Sequence, residues 1–467
     1  MSHPVQALRS SLQSVYPALP PRAQDLACSA YGLVEQYRRV GLGAPRLMDE
    51  IDRATEGPMH QPLVAARLRH ILRTASALPG YASHTAGVRS NDPFEMLLEW
   101  NPLEKEQLRS APEHFLTRRP RAGDFLTTTS GTTGTPVPIW RTRSTIREIM
   151  LSLATFRRWH GIDNREWRAS ITGKLVVPQG AQRVWRINYP GRQVLLSQYH
   201  LQRNFIHSYL EMLSRFEPSV LDGYALALVN LAELMKDSLS CVHPSVRLIV
   251  TTAEQIERAG RRLLSEVFDA RVTDQYASSE HLCLAAECEA GERHIFPNVG
   301  IIEVVDADGR PCAPGEVGSL LLTTLLNDLM PLVRYRVGDR GAIDDRPCPC
   351  GRLSPRLTVL AGRSDDVVIG PSGQRVSIFA FNLLRGVSVP VVAMQLRQHS
   401  VHDFTVLARL DSGSDTAEFE RHVLRNFDAL LGPDERRLVR FDYATPLERT
   451  PGGKVRNVVV EFENPVV

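Results

Sequence analysis

The stretch from Leu226 to Tyr276 limits the possible folds more than any other part of the chain, because its apolar residues switch between two periods. Leu226, Leu228, Leu231, Leu234 and Met235 recur at helical spacing, and Leu248-Ile249-Val250 is a short apolar run ending at Thr251-Thr252. Leu263, Leu264, Val267 and Phe268 return to helical spacing, and Val272 to Tyr276 reads as a second strand. Strand–helix–strand order favours a parallel sheet covered by helices. Such sheets collect ligands in the loops beyond the strand C-termini, so the residues after Thr252 and Tyr276 are candidates for a site.

Before this stretch, the chain to about Phe125 is mainly helical in pattern, with Leu63, Ala66, Leu68, Ile71 and Leu72 near one helical face and a break at Asn101-Pro102. After it, Ile301–Val305 and Ser319–Thr324 flank the turn Asp308-Gly309 and predict an antiparallel pair. Beyond the polar segment Gly362–Asp366, strands are expected over Val391–Leu396, Phe404–Leu410 and Leu438–Phe441, with a helix over Glu418–Leu431. At 467 residues the chain is too long for one small core. The expectation is an α/β protein: a large N-terminal domain of helix-covered sheets, residues 1–362, and a small, mobile α+β C-terminal domain, residues 363–467.

Charge and cysteine usage narrow the function. The 55 basic and 52 acidic side chains nearly cancel, which gives no footprint for nucleic acid or membrane. No apolar run approaches the roughly 18 residues of a membrane span, and from Met1-Ser2-His3-Pro4 no signal peptide is expected. Seven cysteines, odd in number and unevenly spread, argue against a secreted disulfide framework, so a reducing cytoplasm is expected.

Five segments carry chemistry. Thr127-Thr128-Thr129-Ser130-Gly131-Thr132-Thr133-Gly134-Thr135-Pro136 is a hydroxyl- and glycine-rich loop able to wrap a polyphosphate, and it lacks the Gly-Lys-Ser/Thr ending of a Walker loop. Asp274-Gln275-Tyr276-Ala277-Ser278-Ser279-Glu280 ends a strand with an aromatic that can pack on a base and a carboxylate that can hold Mg²⁺. Asp339, after Gly338, can accept both hydroxyls of a ribose. Gly362-Arg363-Ser364-Asp365-Asp366 follows. Last, Lys454 lies on the glycine-rich run Arg449–Arg456, from which it can reach a site on another domain and stabilise charge on an α-phosphate.

In this order and spacing, the segments resemble the adenylate-forming superfamily of acyl-CoA synthetases, peptide-synthetase adenylation domains and luciferases. Cys348-Pro349-Cys350-Gly351-Arg352, Val176-Val177-Pro178, Leu196–Leu201 and Asp222–Leu226 are similar to the phenylacetate–CoA ligase branch. The resemblance covers about Thr127 to Arg456. It implies an ATP- and Mg²⁺-dependent enzyme that converts a carboxylic acid to acyl-AMP, releases pyrophosphate and forms a thioester with coenzyme A. The alternatives are transfer of the acyl group or AMP to a carrier-protein thiol, amine or cofactor, and a non-catalytic nucleotide-binding protein on the same fold. It further implies that Thr129, Ser130, Gly131, Thr132, Thr133 and Gly134 grip the ATP phosphates, that Ala253 and Glu254 line the nucleotide pocket, and that Tyr276 lies near the adenine. Glu280 would hold magnesium, Asp339 the ribose, and Arg363 ribose or phosphate. Asp365 would be the hinge of the small domain and Lys454 the catalytic lysine. A homodimer is a family-level expectation. Three positions depart from the family pattern: Thr135 stands where lysine is usual, Ala277 where glycine is usual, and Val367–Val376 differs from the commoner phenylacetate-type sequence.

Cys288, His294, Cys348 and Cys350 form a second set, of sulfur and imidazole donors that suit structural Zn²⁺ and would clip two loops together. The resemblance implies such a zinc in some members of the branch. His281, beside Glu280, could face the acyl pocket, and His200 is similar; a structural role is the more ordinary expectation for a lone histidine.

Overall fold

The computed structural model describes residues 16–39, 44–59, 61–85, 87–128, 137–172, 176–178, 180–236, 245–252, 256, 258–278, 280–361, 367–371, 373, 375–377, 383, 387, 389, 391–410, 414–448 and 458–462. Its centre is one mixed sheet of twelve strands. Strands Val220–Tyr224, Leu248–Thr252 and Arg271–Ala277 lie side by side and parallel, and the helices Ala225–Met235 and Arg258–Phe268 connect them, as the alternating periods require. Arg168–Thr172, Gln193–Ser197 and the antiparallel edge strand Trp185–Asn188 continue the sheet on one side. On the other side come Leu284–Glu287, Arg293–Ile295, Arg356–Ala361, Tyr335–Asp344, Gly318–Thr324 and Gly300–Val305, all antiparallel. The antiparallel pair expected from the sequence is therefore part of the same sheet as the parallel strands. Arg271–Ala277 is the joint, parallel to one neighbour and antiparallel to the other.

Apolar surface is buried on both halves. Leu68, Leu72, Trp100, Leu322 and Tyr335 belong to one cluster, and Ile171, Trp185, Leu228, Ile249 and Leu264 to another. The helix Pro62–Ser76 has proline in its first turn and buries Val64, Leu68, Ile71, Leu72 and Ala75. Its buried stripe is rotated from the expected one, leaving Leu63 and Ala66 on the exposed side. Toward the C-terminus, Leu438–Asp442, Asp403–Leu410, Val391–Ser400 and Val458–Val460 make a separate four-stranded sheet backed by the helix Thr416–Leu431. Phe404, Phe419 and Phe427 are fully buried in its core, to which Tyr199 of the larger part also contributes. Truncating any of these phenylalanines to alanine costs about 3–5 kcal/mol.

The first helix, Pro21–Arg39, lies along the edge strand Trp185–Asn188 and meets it with polar groups. Asp25 Oδ1 accepts from the Ile187 N–H at 3.1 Å, and Ser29 Oγ donates to the Ile187 carbonyl at 3.0 Å. Gln24 Oε1 accepts from Arg186 Nε at 2.5 Å. Gly32 makes the close approach possible, since a Cβ there would lie 2.0 Å from Asn188 Oδ1. Among the described residues no helix is long and apolar enough to cross a membrane.

Candidate active site

The parallel half of the sheet delivers the site. Strand Arg271–Ala277 is braced by buried charge: Asp274 accepts from Thr251 Oγ1 at 2.8 Å and from Arg293 at 2.6 Å, while Glu287 takes two 2.9 Å bonds from Arg261 and one of 3.0 Å from the Asp274 N–H. Tyr276 leaves this fixed strand and donates its hydroxyl to Asp339 Oδ2 at 2.8 Å. Burial, with Cys283 and Asp339 close by, pushes the Tyr276 phenol well above its usual range, so it stays a protonated donor.

Asp339 reaches this position through a bulge. Leu321 pairs with Arg336 and Ser319 with Arg340, so the intervening strand carries two extra residues there. Gly338, at φ +93°, supplies the backbone conformation that the bulge needs.

Glu280 follows the strand, 4% exposed, with the buried Tyr335 hydroxyl 3.5 Å from its Oε1. Arg141, 1% exposed, lies behind it. One Arg141 nitrogen contacts His281 Nδ1 and lies 3.4 Å from the Glu280 carbonyl oxygen, and the other contacts Thr127 Oγ1. His281 sits in the left-handed region at φ +56°, turned toward this guanidinium. Arg141 thereby joins the base of the hydroxyl-rich segment to the turn that carries Glu280.

The structure thus brings Tyr276, Glu280 and Asp339 together from two separate motifs. Thr127 and Thr128, expected at the start of a loop, instead end the strand Phe125–Thr128, because they pair with Ile139 and Pro138 of Pro138–Arg141. Thr129, Ser130, Gly131, Thr132, Thr133, Gly134 and Thr135 lie outside the described residues, as do Ala253, Glu254, Arg363, Asp365 and Lys454. Arg141 and Tyr335 were not singled out from the sequence. The signal for Arg141 was its parity: Val137, Ile139 and Arg141 alternate as buried positions, and a charge at a buried strand position beside a phosphate-type loop is a functional signature. His200 is bonded through Nδ1 to Ser197 at 2.7 Å and is buried, a structural arrangement.

A second cluster lies where the sheet continues past Leu284–Glu287. Ligand atoms of Cys288, His294, Cys348 and Cys350 are all within 4.8 Å of one another. Cys288 Sγ is 3.9 Å from Cys348 Sγ, and Cys350 Sγ is 3.3 Å from His294 Nε2. Tetrahedral zinc, with arms of about 2.3 Å to sulfur and 2.0 Å to nitrogen, sets such atoms roughly 3.5–3.8 Å apart. His294 Nδ1 lies 2.8 Å from the Ser354 carbonyl oxygen, to which only a protonated nitrogen can donate. That leaves the Nε2 lone pair facing the thiols. Donor types, spacing and tautomer all fit a four-coordinate zinc. Gly351 and Gly291, at φ +85° and +81°, fold the two cysteine turns.

No family model matches the chain. It is 24% identical over 334 residues to Protein CapK of Staphylococcus aureus, spanning 70% of this chain and 72% of that protein. It is 29% identical over 329 residues to the phenylacetate-coenzyme A ligase of Thermus thermophilus, spanning 65% and 67%. Among solved structures, the fold is similar to that of 2-hydroxyisobutyryl-CoA ligase in complex with 2-HIB-AMP and CoA, with a TM-score of 0.56, 18% identity and 91% of each chain covered. The chain is thus similar in sequence to phenylacetate-coenzyme A ligases and has the fold of an acyl-CoA ligase, as the resemblance of its motifs implies.

Proposed function

We propose that this protein is an AMP-forming acid–thiol ligase that activates a carboxylic acid with ATP and transfers the acyl group to coenzyme A. The convergence of Tyr276, Glu280 and Asp339 at one end of the parallel strands carries the reading. The acid's carboxylate oxygen attacks the α-phosphorus, the bond to the bridging oxygen breaks, and pyrophosphate leaves. The thiolate of coenzyme A then attacks the acyl carbon, and AMP departs with the bonding pair. Neither step needs a nucleophile from the protein.

The chain's residues bind and orient. Asp339 accepts the ribose hydroxyls, and Tyr276 holds that carboxylate in place while its ring packs near the base. Thr129, Ser130, Gly131, Thr132, Thr133 and Gly134 take the phosphates, and Ala253 and Glu254 line the nucleotide pocket. Glu280 is the ligand for Mg²⁺, which neutralises phosphate charge when bound. Lys454, on the small unit of residues 363–467, stabilises the developing charge. Arg363 contacts ribose or phosphate, and Asp365 is the hinge about which that unit turns. Cys288, His294, Cys348 and Cys350 hold a structural zinc that fixes the strands beside Tyr276.

The test is pyrophosphate release from ATP and Mg²⁺ across aryl, arylacetic, fatty and amino acids, with and without coenzyme A, against Lys454→Ala. Acid-dependent release lost in the variant, with a thioester formed when coenzyme A is added, supports the reading. Release that coenzyme A leaves unchanged and that yields no thioester overturns the acceptor.

A further inference from the structure

The hairpin on either side of residues 129–135 stands outside the main sheet. Phe125–Thr128 and Pro138–Arg141 form a two-stranded sheet of their own, four residues to a strand, and so short a pair is marginal in water without support. The second strand has that support from the core. Val137 and Ile139 are buried there, the Trp140 carbonyl accepts from Asn327 Nδ2 at 2.9 Å, and Arg141 reaches the Glu280–His281 turn. The first strand opens with Phe125, which is half-buried; among the described residues, the core clusters do not include it.

The cover for Phe125 comes from the first helix. Arg38, in the last turn of Pro21–Arg39, places its guanidinium over the Phe125 ring, 4.4 Å from the ring centre. Glu35, buried one turn earlier, fixes that guanidinium with an ion pair of 2.8 Å. A second contact runs the opposite way. Arg143, two residues past the hairpin, sets its guanidinium 4.6 Å from the centre of the Tyr37 ring and contacts the Tyr37 carbonyl oxygen. Carbonyls in the last turn of a helix have no partner within it, and a cation there also meets the negative end of the helix dipole. Phe125 pairs with Arg141 across the hairpin, so both arginine–aromatic contacts fall at its open end, where the chain enters and leaves. The helix that makes them is itself bonded to the edge of the main sheet through Gln24, Asp25 and Ser29.

We propose that the last turn of this helix clamps the root of the hairpin, and that Arg38 is a positioning residue for the phosphates of ATP, acting through Phe125. The inference rests on the assignment of Thr129–Gly134 to the phosphates made above. Strands of four residues are about 10 Å long, so a tilt of roughly 5° at the root moves their far ends by about 1 Å, a shift that matters to groups gripping phosphate oxygens. The β- and γ-phosphates leave as pyrophosphate in the first step and are absent from the second. Arg38 therefore serves adenylation and not thioester formation, a division that a residue of purely structural value would not show.

The experiment measures the two half-reactions separately on the full chain. One is acid-dependent ATP–pyrophosphate exchange, with the acid that gives the wild type its fastest exchange; the other is thioester formation from the synthetic adenylate of that acid and coenzyme A. Arg38→Ala should raise the KM for ATP and for pyrophosphate about 3- to 30-fold, the span a cation–π contact represents between exposed and desolvated limits. Thioester formation should be unchanged. Phe125→Leu, which removes the aromatic face, should raise the same two KM values, and the double variant should be no worse than either single one. An unchanged KM for ATP in Arg38→Ala overturns the proposal. So do two half-reactions that fall together along with the melting temperature, and effects of Arg38→Ala and Phe125→Leu that add. A wild type that exchanges pyrophosphate with no acid overturns the ligase reading instead, and hydrogen exchange, which needs no substrate, then decides the clamp. Arg38→Ala should speed exchange of the Phe125–Thr128 amides and leave those of Gly300–Val305 as they are; hairpin amides that exchange at the wild-type rate overturn the clamp.

Discussion

Replacing Tyr276 with phenylalanine removes one oxygen from the centre of the site and leaves the ring in place. That oxygen donates to Asp339 Oδ2 at 2.8 Å. A carboxylate offers about four acceptor positions, so Asp339 can accept from Tyr276 and from two ribose hydroxyls at once, and the bond should survive nucleotide binding. Hydrogen bonds to charged acceptors are worth about 1.5–3 kcal/mol, and each 1.4 kcal/mol is tenfold in affinity. The KM for ATP in acid-dependent ATP–pyrophosphate exchange should therefore rise roughly 10- to 100-fold, with kcat little changed, as expected for binding that is uniform between ground and transition states. Burial keeps the phenol protonated far above neutrality, so the ratio of wild-type to variant KM should be flat from about pH 6.5 to 9. Asp339→Asn should show a comparable or larger rise. A Tyr276→Phe enzyme whose KM for ATP is unchanged or lower would refute the reasoning, because the hydroxyl would then be a competitor for Asp339 rather than its support.

Arg141→Lys keeps the charge but loses the fork that spans Thr127 and the Glu280–His281 turn; turnover should fall at least about tenfold, with the melting temperature shifting by only a few degrees. Purified protein should carry about one zinc per chain by elemental analysis, and Cys350→Ser should abolish most of it and lower the melting temperature; wild-type protein without zinc would remove the metal reading. Ala277→Gly should widen the range of acids accepted, read as relative kcat/KM across the panel, at about 0.5–1 kcal/mol of stability for a strand glycine; an unchanged ranking of acids would mean that Ala277 does not border the acyl pocket. The Arg346 side chain, with help from Arg356, holds the Asp344 carboxyl well below its ordinary value. A depressed carboxylate stabilises the fold above its unfolded pKa of about 4, and that contribution is lost as pH falls below it; chemical denaturation should show an acid limb that Asp344→Asn flattens.

Much of this was legible in the sequence where one local pattern decides the structure. The strand–helix alternation from Leu226 to Tyr276 fixed the parallel core, since each segment is long enough to show its period. Tyr276, Glu280 and Asp339 were legible because each follows a recognisable strand end or glycine. The cysteine–histidine cluster was legible as a donor set, although its spacing of one residue between Cys348 and Cys350 is tighter than usual. What was hidden depends on long-range pairing. That Leu284–Glu287 pairs antiparallel with Arg271–Ala277, merging two apparent sheets into one, has no local signal. The role of Arg141 depends on meeting His281, 140 positions away. The orientation of the helix Pro21–Arg39 is hidden for another reason: its apolar periodicity is ordinary, and only the polar partners on the sheet edge decide which side faces in.

Those same partners have a consequence for solubility. An open strand edge invites any other extended chain to add to it, and Trp185–Asn188 is the last strand on its side of a twelve-stranded sheet. Asp25 and Ser29 occupy the Ile187 N–H and carbonyl that such an intruder would need. A chain cleaved between Arg39 and Ala44 would keep every motif from Thr127 onward, yet it would bare this edge together with the buried Arg186 that Gln24 now covers. Loss of the first helix should show itself in the test tube as precipitation before it shows itself as lost chemistry.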